Sequence, residues 1–256
     1  MGQALNLTDQ YLTELSLKGV RESISQRLKE ALDADLGYED LLNLILFDEV
    51  QYRKNQRRQR LLKSAGFKSQ ACLEGVTYEK VRNFDKKMIQ EIASLRFIDE
   101  GQNIVIFGAT GVGKTYLATA LGNHTCRSGK SVLFYKVNIL FEKIALARAE
   151  GTYLHLLKKI HAADLVIIDD FGLRPLADQQ FQDLYDALGE RENEKSIILT
   201  TQLPSENWNE VISDPLVCEA ISDRLTARSI KLNVKGPSKR GELRKKPLTV
   251  EKEHEN

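Results

Sequence analysis

Residues 103–115 read "NIVIFGATGVGKT", and the fold turns on them. "NIVIF" (103–107) is almost wholly apolar, enough for one short strand buried on both faces. Gly108, four further residues, Gly113, Lys114 and Thr115 follow directly, the spacing of a phosphate-binding loop between a strand and a helix. Glycines there let the main chain turn its N–H groups inward around phosphate oxygens, and the helix that begins at the lysine adds the positive end of its dipole. Lys114 neutralises charge on the β- and γ-phosphates, and the Thr115 hydroxyl can ligate Mg²⁺. The expected ligands are ATP and Mg²⁺, contacted by Gly108, Thr110, Gly111, Val112, Gly113, Lys114, Thr115 and Tyr116.

Four more runs lie downstream: "SVLFY" (131–135), "DLVII" (164–168), "SIILT" (196–200) and "SIKLNV" (229–234). Helical patterns separate them, which predicts a three-layer α/β domain on a five-stranded parallel sheet. The run at 164 continues into "DDFG", so a core strand ends in two adjacent carboxylates. Like charges side by side cost free energy unless something offsets them. A metal ion held at Thr115 would do so through Asp169, leaving Asp170 to orient and deprotonate an attacking water, or else simply to form the turn before Gly172. The run at 196 ends in Thr200, Thr201 and Gln202 at the same sheet edge. Thr201 or Gln202 is suited to sensing the γ-phosphate or holding the lytic water, or else simply begins the loop into Pro204.

Residues 1–70 read as a small α-helical domain. Leu15, Val20, Ile24 and Leu28 form one stripe; a second helix starts near Tyr38 with Leu42, Ile45, Leu46 and Val50 on one face, and Gly66 stops it. Its polar continuation holds Arg53, Lys54, Arg57, Arg58, Arg60 and Lys63 with no acid between them. Such cations repel one another unless an anion is near. A DNA backbone is one such anion; Asp33, Asp35, Glu39 and Asp40 of a neighbouring chain are another. Nothing here reads base edges, so duplex DNA would be bound without sequence specificity. Lys158 and Lys159 are lesser candidates. The remaining divisions are a linker and helix over 71–97, the ATPase core over 98–235, and a charged tail, 236–256, expected to be disordered.

At 256 residues and a formal charge of +1, the chain can bury a full core but announces no global field for nucleic acid. Cys72, Cys126 and Cys218 are widely spaced and odd in number, which argues against a disulfide framework or a structural zinc site. No basic–apolar leader opens the chain and no apolar run reaches membrane-spanning length, so a cytoplasmic protein with no membrane partner is expected.

"GATGVGKTYLATALGNHTCRSGKSVLFYKV", "ADLVIIDDFG", "ILTTQLPSENWNE" and "ISDRLTAR" together resemble the IstB-type transposition ATPases, relatives of the DnaC-type helicase loaders within the AAA+ class. The likeness covers nearly the whole chain, and the combination of Asp-Asp-Phe-Gly, Gln-Leu-Pro before Trp208, and Asp223-Arg224-Leu225 is its specific part. The resemblance implies a RecA/AAA+-type sheet, with "SVLFY" as the strand that comes between the phosphate loop and the strand bearing the aspartates. It also implies a Mg²⁺-dependent ATPase that binds duplex DNA as an ATP-dependent homo-oligomer, selects or remodels target DNA, and stimulates the transposase of its insertion sequence. Arg224 would be an arginine finger reaching a neighbour's γ-phosphate, a task suited to its fixed, always-charged fork. One departure from the AAA+ pattern is the short, polar segment after Val234, too short and polar for the expected C-terminal lid domain; Arg240 is a candidate to substitute for the lid's arginine. A helicase loader, a small-molecule kinase and a non-hydrolysing scaffold are the competing readings.

Overall fold

The computed structural model describes residues 2–69, 71–76, 86–189, 191, 194–212 and 214–238. It separates into two compact units, Met1–Leu61 and Leu62–Asn256.

The first unit contains α1 (Gly2–Glu14), α2 (Lys18–Asp33) and most of α3 (Tyr38–Ala65). Gly19 lets α2 lie directly on α3, since a Cβ there would meet Tyr52 Cβ at 2.6 Å and the Glu49 Cα at 2.8 Å. The buried Glu49 carboxylate accepts from the N–H groups of Gly19 at 2.7 Å and Val20 at 3.2 Å, satisfying two donors left over at the start of α2. It also accepts from Arg53 Nε at 2.7 Å, and Arg27 clasps Asp48 at 2.8 Å nearby. Gly66, with φ +84°, ends α3 in the left-handed conformation that glycine adopts without a Cβ penalty.

The second unit continues through α4 (Lys86–Ala93) and α5 (Arg96–Asp99) into the alternating series. That series runs β1 (Asn103–Phe107), α6 (Lys114–Arg127), β2 (Val132–Lys136), α7 (Val137–Ala149), α8 (Tyr153–Ala162) and β3 (Leu165–Phe171). It closes with α9 (Asp178–Gly189), β4 (Ser196–Thr201), α10 (Pro215–Thr226) and β5 (Ser229–Asn233). All five expected strands are present, and every pairing is parallel in the order β2-β3-β4-β1-β5. β4 therefore stands between β1 and β3, whereas the "SVLFY" strand expected there, β2, lies at the edge of the sheet beside β3. Helices on both faces bury the strands, and β4 is buried at every position. Cys72, Cys126 and Cys218 are all free thiols. Among the described residues no helix is long and apolar enough to cross a membrane. Arg240 lies outside the described residues.

Candidate nucleotide site

The carboxyl ends of parallel strands open onto a shared crevice, where open α/β sheets bind ligands. β1 delivers the phosphate loop to that edge, and α6 starts at Lys114 immediately behind Gly113. Gly111 and Gly113 have φ of +80° and +108°, values that glycine alone adopts without strain. A Cβ on Gly108 would strike the carbonyl oxygen of Val234, so this glycine also permits close approach of the segment after β5. Lys114 is buried, and its ammonium donates to the carbonyls of Gly108 at 2.8 Å and Ala109 at 2.9 Å, closing the loop on itself. Val112 is buried, whereas Thr110 and Tyr116 are exposed; the Tyr116 hydroxyl donates to the Cys72 carbonyl at 3.3 Å.

Two strands away, β3 brings its carboxylates to the same edge. Neighbouring side chains of a regular strand point to opposite faces. Here the β3–β4 register shifts between Ile168 and Phe171, and Asp170 has φ +64°. Such an irregularity re-aims a side chain, and at a non-glycine residue it stores strain of the kind found at functional sites. Asp169 is fully buried; its Oδ1 accepts from Thr115 Oγ1 at 2.9 Å and from Thr200 Oγ1 at 2.6 Å. Its Oδ2 is buried without a hydrogen-bond partner. A carboxylate oxygen left bare beside a threonine hydroxyl fits a hard cation with oxygen ligands such as Mg²⁺. Asp170 is partly exposed and pairs through Oδ2 with Lys136 Nζ at 3.1 Å.

Burial pushes the Asp169 carboxyl above its ordinary value; the Thr200 and Thr115 hydroxyls oppose this, and Asp170 adds to it. The folded chain thus holds this proton more tightly than the unfolded chain does. The fold gives up stability as the pH rises from the ordinary carboxylate value through the raised one. A cation held at Oδ2 would offset that cost.

Thr200 joins the two aspartates, since its hydroxyl donates to Asp169 and accepts from the N–H of Asp170 at 3.0 Å. The hydroxyl of Thr201, the residue singled out in the sequence, is engaged instead with the main chain of Leu203, at 3.1 Å from its N–H. Gln202 is exposed. Strand alternation would have suggested that only one of the two threonines meets the aspartates, but not which, because the choice depends on where β4 ends. Lys136 was also missed, though it ends β2 opposite Asp169 in the parallel register. Arg224, on α10, stacks 3.7 Å from the centre of the Tyr185 ring on α9 of its own chain.

The family model described as IstB-like ATP binding protein matches residues 10–247. This chain belongs to that family. It is an ATP-binding protein, as that family's description has it, and its phosphate loop sits on a parallel sheet. A "Putative insertion sequence ATP-binding protein" of Sinorhizobium fredii is 34% identical over 235 residues, covering 92% of this chain and 96% of its own. An "Insertion sequence IS21 putative ATP-binding protein" of Pseudomonas aeruginosa is 30% identical over 229 residues, covering 90% and 86%. Among solved structures, DnaI superposes with a TM-score of 0.54 at 20% identity, covering 66% of this chain and 90% of that one. The AMPPCP-bound DnaA of Aquifex aeolicus superposes at 0.56 and 20% identity, covering 70% and 54%. These two share the fold of the IstB-like core.

Proposed function

We propose that this IstB-like protein is a Mg²⁺-dependent, cytoplasmic ATPase of an insertion sequence. In this reading it assembles on target DNA as an ATP-dependent homo-oligomer and assists the partner transposase in selecting or remodelling that DNA. The observation that carries the proposal is the buried, unpartnered Asp169 Oδ2 beside the Thr115 hydroxyl at the mouth of a phosphate loop. Membership of a family whose relatives are named for insertion sequences supplies the biological setting.

Each residue has a definite part. The loop from Gly108 to Gly113 presents main-chain N–H groups to the phosphates, and Lys114 turns from its loop carbonyls to the β- and γ-oxygens. Thr115 and Asp169 would hold Mg²⁺, which when bound neutralises charge on the phosphates. Asp170 accepts the proton of the attacking water, and Thr200 keeps both carboxylates in place. Thr201 and Gln202 remain proposed for γ-phosphate sensing. Arg224 serves a neighbouring subunit's γ-phosphate after leaving the Tyr185 ring. Duplex DNA is bound without sequence preference through Arg53, Lys54, Arg57, Arg58, Arg60 and Lys63. A DnaC-like helicase loader is the alternative, favoured only by the shared fold with DnaI.

Subunit mixing tests the reading. Arg224→Ala and Lys114→Ala are each expected to lower ATP hydrolysis by about 10³-fold. An equimolar mixture regains activity, because a subunit with an intact loop then meets a neighbour with an intact arginine. A mixture no more active than its components refutes the shared site.

A further inference from the structure

Helix α3 has more apolar surface than its own unit covers. One flank packs on α2, through Asp48 clasped by Arg27, the buried Glu49, and Tyr52 against Gly19. On the adjoining flank Leu42, Leu46 and Val50 are 55%, 50% and 47% exposed. A surface helix normally confines its apolar residues to one stripe facing the core, so a second stripe calls for a partner.

The charges around that stripe say what the partner is. Glu39, Leu42, Leu46, Val50, Arg53 and Arg57 recur at three- and four-residue intervals, and so share one face. Its N-terminal end is acidic, with Asp35 just ahead of Glu39; its C-terminal end is basic, with Lys54 beside Arg53. Among the described residues Asp35, Glu39, Lys54 and Arg57 make no ion pair, and Arg53 turns only to Glu49 of its own helix. A face that is acidic at one end, apolar in the middle and basic at the other is complementary to itself when reversed.

We infer that α3 docks antiparallel on α3 of a second copy of this chain, about a two-fold axis near Leu46. That axis sets Leu42 opposite the partner's Val50 and Glu39 opposite the partner's Arg53. The contact is isologous, so each pairing occurs twice. A parallel pairing would instead set acid on acid and base on base, which is destabilising. The inference specifies one contact within the oligomer proposed above. It requires neither ATP nor DNA, and so can fail while ATP-dependent assembly stands.

Sedimentation velocity of the full-length chain without nucleotide or DNA tests it, with circular dichroism confirming that each variant folds. The parent chain is expected to dimerise, and added salt to weaken the dimer. Leu46→Glu places two carboxylates at the axis and weakens dimerisation by about 100-fold or more. Glu39→Lys and Arg53→Glu each weaken it, and the double variant restores it, because only the antiparallel arrangement brings these positions together. A monomeric parent chain, or a dimer indifferent to Leu46→Glu, overturns the inference. So does a double swap that fails to recover association, the outcome expected if the basic end serves only DNA.

Discussion

Asp170→Asn is expected to bind ATP as tightly as the parent chain and to hydrolyse it about 10²–10³-fold more slowly. The asparagine has the same shape, so the main-chain turn at φ +64° and the N–H donated to Thr200 are retained. What is lost is a basic oxygen able to take a proton from water. Lys136 pairs with Asp170 Oδ2 at 3.1 Å, and the amide cannot replace that pairing in full. Titration with a fluorescent nucleotide and single-turnover hydrolysis separate the two effects. Hydrolysis within a few-fold of the parent rate would remove Asp170 from the chemistry and favour a scaffold that only binds nucleotide.

Arg191→Met is expected to destabilise the fold by about 3–5 kcal/mol without touching the site. The Arg191 guanidinium is buried, and among the described residues its hydrogen bonds go to main-chain carbonyls: Nη1 donates to Ile160 at 2.6 Å and Ala163 at 2.8 Å, and Nη2 to Ser196 at 2.8 Å. It thereby caps the C-terminal end of α8, whose last carbonyls have no partner within the helix, and ties that end to the start of β4. Burial pulls its pKa down to about 10, which still leaves it charged at neutral pH. Methionine fills the volume but offers no donor, so several buried carbonyls lose their partners at once. Differential scanning calorimetry should show the melting temperature falling by about 10 °C. A change under about 2 °C would mean that water replaces the guanidinium.

These two residues mark what was legible in the sequence. Asp170 was visible because a strand ending in paired carboxylates has few explanations, and the phosphate loop supplied one. The five strands were visible for a similar reason: each is short and set between helical stretches, and all but "SIKLNV" are apolar on both sides, as a covered parallel sheet requires. Arg191 was not visible. It sits in "ERENEK", a run that reads as solvated surface, and only the tertiary packing turns one of its charges inward. That Thr200, and not Thr201, bonds the two aspartates was illegible for another reason. A one-residue difference in where a strand ends reverses which face a side chain meets, and no composition pattern resolves that. The basic run from Arg53 to Lys63 was legible as a charge pattern but not as a contact. Charge alone does not distinguish a phosphate backbone from an acidic neighbour, and the exposed Leu42, Leu46 and Val50 add the apolar context that favours a neighbour for part of it.

In the proposed function, bound ATP converts this chain into a DNA-binding assembly. Fluorescence anisotropy of a labelled random-sequence duplex tests it most directly, with the parent protein in ATP, in ADP and without nucleotide at one fixed salt concentration. Strong binding is expected with ATP and weak binding in the other two conditions. Equal, negligible binding in all three would contradict it and leave an ATP-binding protein whose partner is not DNA.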